Sequence, residues 1–371
     1  MDDTKYTLAD GVSFTAEDDA LFCEIKPGSS IVKYKINKSI QSFMNVFAKP
    51  TSIADAISSY AGQQVSSDVF KQLYEFTEAL TKTPFLLSHT EKNNQVMALC
   101  QNKSWILMDT FKNRAHDGVH KVKMTNGEIA ILKMFTEHSN EDASKALQQK
   151  AENEIKHLQR LAHLGFIPTL LERGSIDNTH YFLISYIDGT KVSHFNELEL
   201  SKQQRLKLAF DLTNTVSQLH SADTLHGDIH TSNFMLDLQH KLWVIDLDCS
   251  LRISEPPKGR KGGALHFLPP ERISRDWHAG VKYHTNIASE IYQVGVALYF
   301  ILTRTLPFRG KTQKELYNSV QQGVHSKHVT LLTEAELPES IVNHIVKCMA
   351  TNPADRPKNL GELLTSMEYL C

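Results

Sequence analysis

The sequence predicts an α+β chain in which strands come first and helices follow, giving two lobes with a site between them, behind a small N-terminal module. Three observations predict it. Strand-like segments at 105–111, 118–123, 129–135, 169–173 and 181–186 precede a stretch that is mostly helical from Ser201 onward. A hairpin-like pattern and three amphipathic segments lie before a polar break at 91–95. Asp228, Asn233 and Asp246 fall on loops around a short hairpin, where polar side chains can converge. With 371 residues, one small and one large domain are affordable. The expected division is 1–92 and 100–371, the latter splitting into an N-lobe of about 100–186 and a C-lobe of about 187–371.

In the N-terminal module, 20–25 and 31–36 read as two strands around a tight turn at 26–30. Helical patterns follow at 39–48, 52–61 and 68–81, separated by Pro50, Gly62 and the start signal Ser66-Ser67-Asp68. A hairpin plus three short helices is winged-helix-like. The pattern resembles the PqqD-like domains, which implies recognition of precursor peptides. An accessory domain that buttresses its neighbour fits the same pattern.

Beyond the break, Thr125-Asn126-Gly127 joins two strands by a tight turn. Alternation along Ala130-Ile131-Leu132-Lys133 puts Ala130 and Leu132 on one face and Ile131 and Lys133 on the other. A long helix is expected at 141–163. Glu154 lies on its core stripe with Leu158 and Leu161, while Glu152 points elsewhere. Between Phe111 and Met124 only Gly118 is a glycine. The helix expected at 201–220 carries a stripe of Leu206, Ala209, Phe210, Thr213, Val216 and Leu219.

This helix leads into His226-Gly227-Asp228-Ile229-His230-Thr231-Ser232-Asn233, followed by Val244-Ile245-Asp246-Leu247-Asp248. Phosphoryl transfer from a nucleotide needs a carboxylate near the attacking hydroxyl and oxygen ligands for the metal on the phosphates. Asp228 supplies the first; Asn233 and Asp246 supply the second. The order H-x-D-x-x-x-x-N, then an apolar strand ending in Asp, resembles the catalytic and metal loops of Hanks-type protein kinases. Leu268-Pro269-Pro270-Glu271 stands where that family has A-P-E. The run from Ser289 to Phe308 resembles its S-D-V-W-S-x-G helix, and Asn352-Pro353-Ala354-Asp355-Arg356-Pro357 its N-P-x-x-R-P.

The resemblance covers about residues 105–370. It implies a bilobal protein-kinase-like fold, ATP and Mg2+ as cofactors, and a Ser/Thr-type transfer to a protein or peptide. It implies Lys133 as the phosphate-binding lysine, Glu154 as its partner and Asp228 as the catalytic carboxylate. Asn233 and Asp246 become the metal ligands. Gly118 belongs to the phosphate loop, Ile184 lies behind the adenine, and Ser185, Tyr186 and Ile187 form the hinge. It also implies a buried, bidentate Glu271–Arg356 ion pair. Departures are the thin glycine loop, which Arg114 or His116 would offset, Gly227 in place of the H-R-D arginine, and Leu247-Asp248 in place of Phe-Gly. Losing that arginine removes the cation that reads a loop phosphate. Two rival readings stand beside the kinase: a pseudokinase scaffold, and a small-molecule phosphotransferase of the aminoglycoside or choline type, suggested by His-Gly-Asp-Ile-His.

Composition narrows the partners. A net charge of −2 offers no broad attraction for nucleic acid or an anionic membrane. The longest apolar run, 294–302, is too short to span a bilayer, and the start of the chain is acidic and polar. Five cysteines are scattered without metal spacing, as expected for free thiols in the cytoplasm. The run 258–263 is basic and glycine-rich, a solvated loop or a dock for an acidic partner.

Overall fold

The computed structural model describes residues 5–8, 12–17, 20–25, 32–49, 51–61, 66–81, 86–113, 117–136, 141–176, 179–255, 259–260, 263–273 and 283–368. Its chain divides into two compact units, residues 1–149 with 170–186, and residues 150–169 with 187–371. Both mix helix and strand, as an α+β chain requires.

The first unit opens with β1 (Lys5–Leu8), β2 (Ser13–Glu17), β3 (Ala20–Ile25), β4 (Val32–Ile36), α1 (Lys38–Asn45), β5 (Thr51–Ser52), α2 (Ile53–Ala61), α3 (Ser67–Thr81) and β6 (Leu86–Ser88). The expected β3–β4 pair forms, with Leu21 opposite Ile36 and Glu24 opposite Lys33. The three helices form as well. Two findings depart from a hairpin-plus-helices module: β2 extends the pair into a meander, and a second sheet runs in the order β5-β1-β6. Short strands such as Thr51–Ser52 carry no period of their own, so only pairing partners reveal them. The turn at 26–30 lies outside the described residues. Phe43, Phe47, Ile53, Ala56 and Ile57 form the core beneath the helices.

Next come α4 (His89–Lys103), β7 (Ile106–Asn113), β8 (Asp117–Lys123), β9 (Ile129–Thr136), α5 (Glu141–Leu161), β10 (Leu170–Ile176) and β11 (Thr179–Ser185). The polar stretch at 91–95, read as a break, lies inside α4. It is polar because only part of this helix needs an apolar stripe: Val96, Leu99 and Cys100 pack on Trp105, Val122, Ala130, Leu132, Tyr181 and Leu183 of the sheet. That sheet is antiparallel in the order β10-β11-β9-β8-β7. Its β8–β9 turn works because Gly127 takes φ 87°, a left-handed conformation that costs glycine nothing. A polar latch joins the end of α4 to the sheet. Lys103 Nζ lies 2.8 Å from Glu172 Oε1, and the Tyr181 hydroxyl donates to the same oxygen at 2.7 Å.

The second unit adds β12 (Gly189–Lys191), α6 (Lys202–Ser221), β13 (Thr224–Leu225), β14 (Phe234–Asp237), β15 (Leu242–Val244), β16 (Leu251–Arg252), β17 (Gly259–Arg260), β18 (Tyr283–His284), α7 (Ile287–Thr303), α8 (Gln313–Gln322), α9 (Ser326–Glu334), α10 (Glu339–Cys348) and α11 (Gly361–Glu368). Ser201 starts α6 with a reciprocal capping box to Gln204. The buried face of α6 is Leu208, Ala209, Leu212, Thr213, Thr215, Val216 and Leu219. Leu206 and Phe210, placed on that stripe from the sequence, are only half-buried. From Ser289 to Leu302, α7 is buried at every position but Phe300, so it runs through the core rather than along its surface. Of the basic run 258–263, Gly259–Arg260 pairs with Tyr283–His284, while Lys258, Lys261 and Gly262 lie outside the described residues. No helix among the described residues is long and apolar enough to cross a membrane. Cys23, Cys100, Cys249 and Cys348 are free thiols.

Two outcomes follow for stability. Leu99→Ala, which empties a site 2% exposed, should lower unfolding free energy by about 2–5 kcal/mol, whereas Met97→Ala at 53% exposure should change it by about 0.5 kcal/mol or less in urea titrations. His120 is buried on the same sheet face as Leu132, with Nδ1 3.0 Å from Thr110 Oγ1, and burial lowers its pKa from 6.5 to about 4. The folded chain thus takes up this proton later than the unfolded chain as pH falls. Its contribution is complete above pH 6.5 and is lost on descending to about pH 4. His157 shares that window, through burial and then the Arg160 charge. A melting-temperature profile against pH should flatten over this window in His120→Gln.

Candidate active site

Register places Val119, Lys133 and Phe182 side by side across β8, β9 and β11, on the sheet face opposite the α4 contact. Ile131 and Ile184 are partners on that same face, beside Lys121. Lys133 Nζ stands 6.0 Å from the Phe182 ring centre, and Lys121 Nζ 3.9 Å from the centre of the Tyr186 ring. This face thus gathers Ile131 and Lys133 as the alternation predicted, with Ile184 beside them. Gly118 behaves differently. A Cβ there would come within 2.3 Å of His120 Nε2, so packing on the α4 side already requires glycine. Arg114 and His116 lie outside the described residues.

In the second unit, the chain after β13 makes a tight loop carrying Asp228. Gly227 has φ 84°, and a Cβ on it would meet Cys249 O at 2.0 Å. Its amide donates to Glu290 Oε1 at 2.6 Å, and the other oxygen of Glu290 lies 2.8 Å from His220 Nε2. Glu290 is wholly buried on α7. Farther along, His230 Nδ1 accepts from Ser232 N at 3.2 Å, so its Nε2 carries the hydrogen, 3.6 Å from Asp228 Oδ2. Ala264 N donates to Asp228 Oδ1 at 3.4 Å. Burial pushes the Asp228 pKa up, but the hydrogen bond from His230, the nearby His226 ring and the Ala264 amide together hold it below the ordinary carboxylate value. Asp228 is therefore an anion at neutral pH.

Asn233 closes the loop by donating from Nδ2 to Asp228 O at 3.0 Å. The β14–β15 hairpin then brings Asp246 back beside it, with Ile245 N donating to Asn233 O at 2.9 Å. Asp246 takes φ 65°, and its side chain is exposed. On α5, Glu154 is 3% exposed together with buried Leu158 and Leu161, while Glu152 is exposed. Ile187 is buried where the chain re-enters the second unit. Arg356 makes two parallel bonds to Glu271, at 2.8 and 2.7 Å, and reaches the carbonyls of Ala288, Ala350 and Thr351.

Among known families, the protein kinase domain matches residues 117–367. This chain belongs to the protein kinase family. Similar proteins include a mitogen-activated protein kinase kinase kinase 7-like protein of Drosophila melanogaster, 26% identical over 66% of this chain and 62% of its own. The serine/threonine-protein kinase PknB of Lactococcus lactis is 21% identical over 64% and 37% of the two chains. The inactive serine/threonine-protein kinase PLK5 of mouse is 26% identical over 59% and 35%. The chain thus spans less than two thirds of the length of these relatives.

Protein kinases use ATP and Mg2+, and the donor set here suits a hard cation: one amide oxygen and one carboxylate, with no sulfur or imidazole. Three contributors escaped the sequence reading: His220, the amide-holding role of Glu290, and Asn153, which donates to the carbonyls of Asp248 and Ser250. Only Glu290 left a signal, a carboxylate at the head of an apolar helix.

Gly227→Ala forces a Cβ onto Cys249 O in a left-handed backbone, so melting temperature should fall; an unchanged melt would contradict the geometry. Glu271→Ala leaves a buried guanidinium unpaired and should cost about 3–5 kcal/mol in denaturant unfolding.

Proposed function

We propose that the chain is an ATP- and Mg2+-dependent Ser/Thr protein kinase. The single observation that carries this reading is the junction of Asn233 and Asp246 across the β14–β15 hairpin, on the same loop as an anionic Asp228. Lys133 is assigned to the nucleotide phosphates, with Ile184, Tyr186 and Ile187 at the adenine. Glu154 is assigned as the partner of Lys133. Asn233 and Asp246 are assigned to Mg2+, which when bound neutralises charge on the phosphates.

Asp228 is then the group that orients the attacking hydroxyl and accepts its proton as the new O–P bond forms and the β–γ bridging bond breaks, with ADP leaving. His230 keeps that carboxylate ionised and aimed. The substrate assigned is a protein or peptide. The N-terminal sheet β2-β3-β4 ends in strand β4, whose exposed Tyr34 and Lys35 offer an edge for an extended peptide. Peptide affinity unchanged in Tyr34→Asp would remove that edge from the assignment.

One observation favours a non-catalytic scaffold: the glycine at 118 is accounted for by His120 packing, which leaves less reason to read it as a phosphate loop. Calorimetric titration of ATP separates the two. Magnesium-dependent binding in the wild type that is lost in Asp246→Ala, with phosphotransfer lowered by about 10²–10⁴-fold in Asp228→Asn, is the expected result. Binding indifferent to magnesium and to Asp246 would instead mark a scaffold.

A further inference from the structure

We propose that Asn153 is a positioning residue that clamps the metal-bearing turn 246–250, so that this kinase holds its metal segment in place without a switch. The inference deepens the functional assignment above and rests on Asp246 as a metal ligand. Asn153 lies next to Glu154 on α5, and its Nδ2 donates to two carbonyls at once: Asp248 O at 3.0 Å and Ser250 O at 2.9 Å. Both hydrogens of the amide are spent on one turn. A second tie comes from the preceding helical turn, where Lys150 Nζ lies 3.5 Å from Asp248 Oδ2.

The turn needs such a tie. Upstream it is fixed where Ile245 N meets Asn233 O; downstream, where Leu251 pairs with Leu225 and Ser250 Oγ donates to His226 O at 3.2 Å. Between those anchors, Asp246 sits in a left-handed conformation that a non-glycine residue holds only when its surroundings impose it. Leu247 is fully buried, and Ser250 N donates to Leu247 O at 3.0 Å, which tightens the turn on itself. The Asn153 amide adds a fixed point from a different element. That element is itself anchored: Arg160 of α5 donates to Ala222 O at the end of α6 at 2.7 Å and to the Thr224 hydroxyl.

The sequence departures agree with this role. Residue 248 is Asp rather than glycine, so the turn gives up backbone freedom and gains an ion-pair partner for Lys150. Gly227 replaces the arginine that would read a loop phosphate, so a permanent clamp stands where a switchable one would act.

Asn153→Asp keeps the shape but turns a donor pair into an anion facing two carbonyls; Asn153→Ala removes the side chain and serves where the first variant folds poorly. Hydrogen exchange on the ligand-free protein reads the clamp directly. Amides of 247–251 should exchange at least about tenfold faster, corresponding to about 1.4 kcal/mol, while those of α6 and α7 stay unchanged. In calorimetry, the magnesium concentration needed for half-maximal ATP binding should rise while magnesium-free ATP binding stays constant. Unchanged exchange at 247–251, or acceleration spread evenly over α6 and α7, would overturn the clamp. Faster exchange at 247–251 with an unaltered magnesium requirement would overturn the positioning role, and wild-type ATP binding indifferent to magnesium would instead fail the metal assignment itself.

Discussion

Glu290 is the point on which the loop carrying Asp228 depends. Its carboxylate, wholly buried at the head of α7, accepts the Gly227 amide and meets His220. An isolated buried carboxylate is costly, several kcal/mol after relaxation, and hydrogen bonds to both oxygens are what make this one tolerable. In return the loop before Asp228 has a fixed backbone. The left-handed Gly227, close against Cys249 O, then sets how closely the Asp228 loop and the turn after Asp246 approach.

The same helix organises the rest of the second unit. Arg356 bonds to Ala288 O in the first turn of α7 while it clasps Glu271, and its guanidinium lies 4.9 Å from the Tyr292 ring centre. Polar anchors at the head of α7 and an apolar body below it divide the labour. Burial of Ile291 through Leu302 stabilises the unit, and the anchors choose which loops are held where. In the first unit, α4 has a comparable place. Its few apolar residues seal one face of the five-stranded sheet, and Lys133 lies on the other.

Much of this was legible in the residues. Alternation at 129–135 separated Lys133 from the core, the helical stripe separated Glu154 from Glu152, and the spacing from Asp228 through Asp246 required a loop, a hairpin and a return. The Glu271–Arg356 pair followed from family resemblance, and it is bidentate. Less legible were α4, whose polar first half reads as a linker, and the two- and three-residue strands β5 and β6, too short to show a period. The α6 stripe was misplaced because two positions of the helix border the core without entering it.

The sequence by itself determined which residues could do the chemistry, since residue type and spacing along a loop are local properties. It also determined the order of β7, β8, β9, α5, β10, β11 and α6, because periodicity is local too. Tertiary structure alone decided that Gly118 makes room for His120, that Glu290 holds Gly227, and that Asn153 spends both hydrogens on the turn after Asp246. Each of these contacts joins residues whose approach is set by the packing between them. Even the nearest, Gly118 with His120, becomes a constraint only because the His120 ring is buried and held 3.0 Å from Thr110 Oγ1.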